Sequence, residues 1–247
     1  MSYEYIAGKN PIIEVLKSTR PIHKIWIAEG SQKGQMQQLI KLANKSHVTV
    51  QYVPRQKIDQ MTQANHQGVV AQVAAYQYAE LADLFVAAKK RQETPFFLIL
   101  DGLEDPHNLG SIMRTADAAG VHGIIIPKRR AVGLTATVAK ASSGAIEHVP
   151  VVRVTNLART IEQLKERGLW IYGTDAKAKQ DYRSIDGKLP LALVIGSEGK
   201  GISRLIKQKC DFLVHLPMKG HVTSLNASVA ASILMYEVYR KRIPTGV

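Results

Sequence analysis

Four stretches of this sequence place polar or glycine residues directly after an apolar run. FFLIL is followed by DGLEDPHNLG, LWIY by GTDAKA, LALVI by GSEGKGIS, and FLVH by LPMKGHVTSLN. In open α/β sheets, ligands bind beyond the carboxyl ends of the strands. Side by side, these four ends would make one polar, backbone-lined pocket. Few residues in it could act on a ligand. Asn108 and Arg114 offer an amide and a guanidinium, and Glu198 is the only carboxylate of the glycine turn. Ser224 and Asn226 stand at a helix start, where they could also simply cap free N–H groups. Leu216, Pro217 and Met218 form an apolar, backbone-rich loop that suits an adenine held by main-chain hydrogen bonds.

The glycine turn excludes two common ligand classes. A dinucleotide fingerprint needs G-x-G-x-x-G, but Gly196, Gly199 and Gly201 are spaced in the reverse order. A phosphate-binding P-loop needs a lysine where Ile202 stands, so the β/γ-phosphate contact is missing. His107, His122 and His221 are scattered in loops and form no metal-ligand pattern. Cys210 is the only cysteine, so no intrachain disulfide can form, and a reducing, cytoplasmic setting is expected. No apolar run approaches membrane-spanning length, and the first residues lack a signal pattern. The 33 Lys and Arg against 20 Asp and Glu leave +13, the footprint of a polyanion binder, and nucleic acid is the expected partner.

The elements that must position these residues are legible as periodicities. PIIEVLKS, QMQQLIKLANK and RQKIDQMT read as helices, and HKIWIA, VTVQYV and GVVAQVAA as strands, which makes residues 1–75 a small α/β unit. ELADLFVAAKKRQ in residues 76–94 reads as a helical connector, or as a helix packed into one of its neighbours, ending before Pro95. From residue 95 to 247 the strands strengthen: FFLIL, GIII, HVPVV, LWIYG, LALVIG and FLVHLP. Helices over IMRTADAAG, TNLARTIEQLKERG and GISRLIKQ lie between them. The fold class is therefore α/β, with a mostly parallel, doubly wound sheet. DGLEDPHNLG reads as a loop, with Asp101, Glu104 and Asp105 capping the next helix or ordering that loop. NASVAASILMYEVYRKR is a long final helix stopped by Pro244. Its small residues at 227–232 imply close approach by another segment or subunit.

Three stretches in order resemble the signature motifs of SPOUT-class RNA methyltransferases of the SpoU or TrmH branch. They are N-x-G-x-x-x-R at Asn108–Arg114, VIGSEGKGIS, and LPMKGHVTSLNASVA. Residues 1–75 resemble the small L30e-type RNA substrate-binding domain of one subgroup, and ASSGAIEHVPVV resembles its connecting stretch. The resemblance implies a C-terminal trefoil knot, a homodimer whose sites draw on both subunits, and S-adenosylmethionine as cofactor. It implies 2′-O-methylation of an RNA ribose, nearest to a guanosine of 23S rRNA, with transfer RNA or another ribosomal site as alternatives. It makes Arg114 the essential arginine. A phosphate clamp that orients the 2′-hydroxyl is physically easier for a guanidinium than general-base work, since guanidinium does not lose its proton in proteins. Asn108 would position Arg114 or the ribose, Glu198 would orient Arg114 or Asn226, and Ser224 and Asn226 would brace the arginine or the RNA. Gly196, Gly199, Leu216, Pro217, Met218 and Leu225 would hold the cofactor, with Thr174 nearby. A ribosome-associated RNA-binding protein without catalysis is the rival reading, and the full occupancy of the motif positions argues against it.

Overall fold

The computed structural model describes residues 3–18, 20–31 and 33–243, the side chains of Lys33 and Gln35 excepted; the expected stop at Pro244 lies outside the described residues. The elements run β1 (Tyr3–Ala7), α1 (Lys9–Lys17), β2 (Ile22–Ala28), α2 (Lys33–Lys45), β3 (Val50–Val53), α3 (Arg55–Met61) and β4 (Val69–Ala74). Then come α4 (Leu81–Arg91), β5 (Phe96–Asp101), α5 (Pro106–Ala118), β6 (Gly123–Pro127), α6 (Ala136–Ala141) and β7 (Val151–Val154). The last are α7 (Leu157–Glu166), β8 (Trp170–Thr174), β9 (Gln180–Asp181), β10 (Leu191–Gly196), α8 (Arg204–Lys209), β11 (Phe212–His215) and α9 (Ala227–Arg242). Among the described residues no helix is long and apolar enough to cross a membrane.

Two units divide these elements, Met1–Gln77 with Leu134–His148, and Tyr78–Gly133 with Val149–Val247. The first carries a four-stranded sheet in the order β1-β4-β2-β3, parallel only between β2 and β3. Strand alternation splits its core: Val69, Ala71 and Val73 face α1 and α2, while Val70 joins Trp26 and Ile58 on the side of α3. The segment 134–148, within the span read from sequence as the second domain, packs with the first unit instead. Burial of Val138, Ala139, Ala145 and Ile146 is the cause. A buried charge cluster closes the junction. Arg20 Nη1 donates to Glu147 Oε1 at 3.0 Å, Nη2 pairs with Glu4, and the guanidinium lies 3.4 Å from the Tyr76 ring centroid. Arg20 and Glu147 are 8% and 4% exposed in their side chains, so removing one strands the other's charge. Arg20→Ala is expected to lower the urea-unfolding free energy by ~3 kcal/mol; a change under ~1 kcal/mol would show the cluster to be solvated.

The second unit holds seven strands in the order β7-β6-β5-β10-β8-β11-β9, with parallel pairing throughout. One face of the sheet is covered by α4, α7 and α8, whose Leu84, Ile161, Leu164 and Ile206 pack on Phe97, Ile99, Ile171 and Val194. Helix α4, the expected connector, thus belongs to this unit, with Leu84 fully buried against Gly123. On β10 packs α9, and α5 packs against α9. The small Ala227 and Ala231 of α9 are buried there, as close approach requires.

Helix α5 starts six residues before the point read from sequence. Asp105 is its N-cap, accepting the His107 N–H at 3.0 Å, and Pro106 occupies the first turn. Asn108 and Gly110 are therefore helical and buried, not loop residues. The chain runs outward from β5 through β6 to β7, crosses to β8 on the other side of β5, and later places β10 between β5 and β8. That reversal is the switch point where open α/β sheets form a crevice. Here Gly196 of β10 stands in register with Asp101 of β5, so both site loops leave the sheet at the same level.

Candidate functional site

The glycine turn is built by backbone crowding. Gly201 N–H donates to Ser197 O at 2.9 Å, and Gly199 and Gly201 have φ of +78° and +65°, the left-handed region that glycine enters without strain. A Cβ on Gly196 would lie 2.0 Å from the carbonyl carbon of Gly201 and 2.2 Å from the Ile202 nitrogen. The turn is tied to β5 by the Ser203 N–H, which donates to Asp101 Oδ2 at 2.8 Å.

Glu198 projects from this turn into an amide network. Its Oε1 accepts from Asn108 Nδ2 at 3.1 Å, from the Ala227 N–H at 3.3 Å, and from Asn226 Nδ2. Asn226 Nδ2 also donates to Asn108 Oδ1 at 2.9 Å. Its Oδ1 caps α9, accepting the Ser228 and Val229 N–H groups at 2.9 and 3.3 Å. These partners fix which way both amides point. Asn226→Ala would remove the cap and leave buried Asn108 short of a donor. It is expected to lower chemical-denaturation stability by ~2 kcal/mol; an unchanged midpoint would show the network to be loose.

Two clefts open on either side of Glu198. One, of about 460 Å³, is lined by Thr174, Gly196, Gly199, Leu216, Met218 and Leu225, together with Ser224 and Glu198. Pro217 does not line it. Residues 217–225 make no backbone–backbone hydrogen bonds among the described residues, so their N–H and C=O groups are available to a ligand. The other cleft, of about 530 Å³, is lined by Asn108, Glu104, Asp105, Arg129, Arg130 and Lys200, among others. Glu198, Ser197, Lys200 and Gly201 form the wall between the two. Arg129 and Arg130 were missed from sequence. Their signal was an arginine pair just past the carboxyl end of GIIIP, and Arg130 carries a strained φ of 56°.

Arg114 stands apart. It lies six residues beyond Asn108 on α5, a rotation of about 240°, so the two cannot share a face. Thr115 keeps the Asn108 side and bonds Ser232 of α9 at 3.1 Å. Arg114 is exposed, lines neither cleft, and has no side-chain partner among the described residues. Ser224 likewise makes no hydrogen bond to it. Near Thr115 and Ser232, α9 exposes Val229 and Tyr236, with Ile233 half-buried between them. Among the described residues no group of three or more His, Cys, Asp or Glu could hold a metal ion.

Comparison with known proteins gives one consistent result. Residues 95–236 match the SpoU rRNA Methylase family, and residues 5–79 match an RNA 2′-O ribose methyltransferase substrate-binding family. The Bacillus subtilis protein YacO, assigned to the TrmH family of tRNA/rRNA methyltransferases, is 70% identical over 99% of this chain and 98% of its own length. A Staphylococcus saprophyticus protein of the same assignment is 59% identical over 96% of this chain and 95% of its own. The SpoU methyltransferase AviRb of Streptomyces viridochromogenes, solved with AdoMet, superposes with a TM-score of 0.82 at 26% identity, covering 97% of this chain and 90% of that one. An AdoMet-bound rRNA methyltransferase of Sinorhizobium meliloti gives 0.81 at 26% identity, covering 98% and 88%.

Proposed function

This chain belongs to the SpoU/TrmH family of RNA methyltransferases, and from that premise we propose that it moves a methyl group from S-adenosylmethionine to a ribose 2′-oxygen of RNA. The observation that carries the reading is Glu198 on a wall between two unlike clefts. On one side lie unpaired main-chain groups and apolar side chains; on the other lie Arg129 and Arg130, with Lys200 in the wall itself. The first cleft fits the cofactor. Leu216, Met218 and Leu225 would enclose an adenosine, and the main chain of residues 217–225 would hydrogen-bond it. When bound, the cofactor supplies an activated methyl on a positive sulfur.

The chain's task is alignment. Holding acceptor oxygen and methyl in line can contribute ~7–11 kcal/mol in well-oriented systems. Glu198, held by Asn108 and Asn226, stands in the wall against which the ribose can be set. Arg129, Arg130 and Lys200 would take the neighbouring phosphates. Arg114 points away from this partition in its own chain. Arg114 is exposed on α5, and Val229 and Tyr236 are exposed on α9, which packs against α5; we assign this surface to a second copy of the chain. Arg114 would then complete the partner's site, clamping phosphate and orienting the 2′-hydroxyl. A nearby positive charge eases departure of the hydroxyl proton, which passes to solvent water as the oxygen–methyl bond forms and the sulfur–methyl bond breaks. The strand order β10-β8-β11 with the crowded 196–201 turn supports a threaded, knotted C-terminal segment.

For the target we take a guanosine of 23S rRNA. The first unit, matched to a substrate-binding family, supports RNA as the partner. Calorimetry is expected to show saturable S-adenosylmethionine binding and none of NAD or ATP. Mapping of 2′-O-methyl groups in a deletion strain should reveal one missing site in large-subunit RNA. A missing site in transfer RNA would move the target, and no missing site with no cofactor binding would overturn the assignment.

A further inference from the structure

The first unit contains a cleft of its own, about 380 Å³, remote in sequence from the methyl-transfer motifs. It is lined by Asn10, Gln38, Asn65, Gln67, Lys17 and Lys140, with Pro11 and Ile13 as the apolar part of its wall. Four carboxamides line this cleft, and three of them, on Asn10, Gln38 and Asn65, have no hydrogen-bond partner among the described residues. The fourth is held. Gln67 Oε1 accepts the Lys9 N–H at 3.4 Å, which leaves its NH2 as a donor.

The wall is preformed at some cost. Gln67 and Ser143 both line the cleft with φ of 49° and 52°, a region that non-glycine residues seldom enter. The turn before Gln67 is fixed by buried His66, whose Nδ1 accepts the Gly68 N–H at 3.0 Å and whose Nε2 donates to Asp59 at 2.8 Å. The one carboxylate present is engaged: Glu14 pairs with Lys17 at 2.8 Å and His148 at 3.2 Å. Lys140, from the returning segment, has no ion pair among the described residues.

We propose that this cleft binds one unstacked nucleotide of the substrate RNA, with Asn10, Asn65 and Gln67 reading the base edge and Lys140 holding its phosphate. A carboxamide presents a donor and an acceptor in one plane, which is the pattern of a base edge. No aromatic side chain lines the cleft, so the base is read at its edge and rests on Pro11 and Ile13. The polar lining residues are exposed, which suits a strand passing over the surface and not an enclosed metabolite. This inference rests on RNA being the substrate, and it adds that specificity is set partly outside the methyl-transfer unit.

The test uses the full chain and four single-stranded pentanucleotides, A5, C5, G5 and U5, followed by side-chain amide NMR. One of the four is expected to shift the Asn10, Asn65 and Gln67 carboxamide signals and to bind at least tenfold more tightly than the others. Asn10→Ala with Asn65→Ala should abolish that preference. Lys140→Ala should weaken all four alike, by about threefold to tenfold, and reduce the salt dependence. Cofactor affinity, read by calorimetry, should stay within twofold for every variant, and unchanged amide chemical-shift dispersion of the first unit shows that they fold. No carboxamide shift with any pentanucleotide overturns the proposal, as does equal binding of all four that survives the double substitution. Shifts produced by free nucleoside monophosphates and not by pentanucleotides would make the cleft a metabolite site and overturn it too. A failed methyl-transfer assignment would instead appear as absent cofactor binding, with the pentanucleotide result standing.

Discussion

Arg114→Ala is expected to lower the turnover of methyl transfer about a thousandfold, ~4 kcal/mol of transition-state stabilisation, while cofactor affinity changes less than twofold. Arg114 lines neither cleft of its own chain, so nothing that holds the cofactor there is removed. Its exposure without a partner is costly only if a second copy supplies the work. Mixed dimers separate the possibilities. Arg114→Ala chains combined with Glu198→Ala chains carry one intact site per mixed dimer if Arg114 serves the partner, and none if it serves its own chain. Random mixing should then restore about a quarter of the activity. No restoration, with dimer exchange verified by mass, would place Arg114 in its own chain's site or outside catalysis.

Gly196→Ala should be the most damaging small substitution in the second unit. The added methyl would meet backbone at 2.0 and 2.2 Å, and backbone of a closed turn cannot swing aside as a side chain can. A loss of ~4 kcal/mol or more is expected, enough to consume much of a domain's stability. Gly199→Ala is the control. No atom lies within 4 Å of its Cβ position, and only the φ of +78° opposes it, at ~1 kcal/mol. Guanidinium unfolding of both variants should show this order. Equal losses would mean that the turn yields to the added methyl and that crowding does not dictate glycine at 196.

The sheet of the second unit was legible because FFLIL and LALVIG are buried on both faces, which forces continuous apolar runs. Three features escaped for different reasons. Helix α5 begins at Pro106 and not at Ile112, because Asp105 and Pro106 form a cap and first turn within a stretch too polar to show helical periodicity. Strand β1 is short, lies at a sheet edge and exposes Tyr3 and Tyr5, so its apolar content is thin. Segment 134–148 has no local signal for which unit it joins, since that depends on where Val138, Ala139, Ala145 and Ile146 are buried and on Arg20 meeting Glu147 across the sequence. In the site, Asn108, Glu198 and Asn226 were named from their motifs and do meet. Arg114 does not join them within one chain, because Asn108 is helical and not in a loop, which turns Arg114 about 240° away round α5. Arg129 and Arg130 gain meaning only once β6 is seen beside β5.

The account turns on the ribose oxygen as acceptor, and alkali reads that oxygen directly. A 2′-O-methyl group removes the nucleophile that cleaves the adjoining phosphodiester, whereas a methylated base leaves it in place. The purified chain would be incubated with methyl-tritiated S-adenosylmethionine and unmodified ribosomal RNA, and the RNA then hydrolysed in alkali. Label recovered in an alkali-resistant dinucleotide is the predicted result; label released in mononucleotides, or no incorporation into any RNA, would contradict the account.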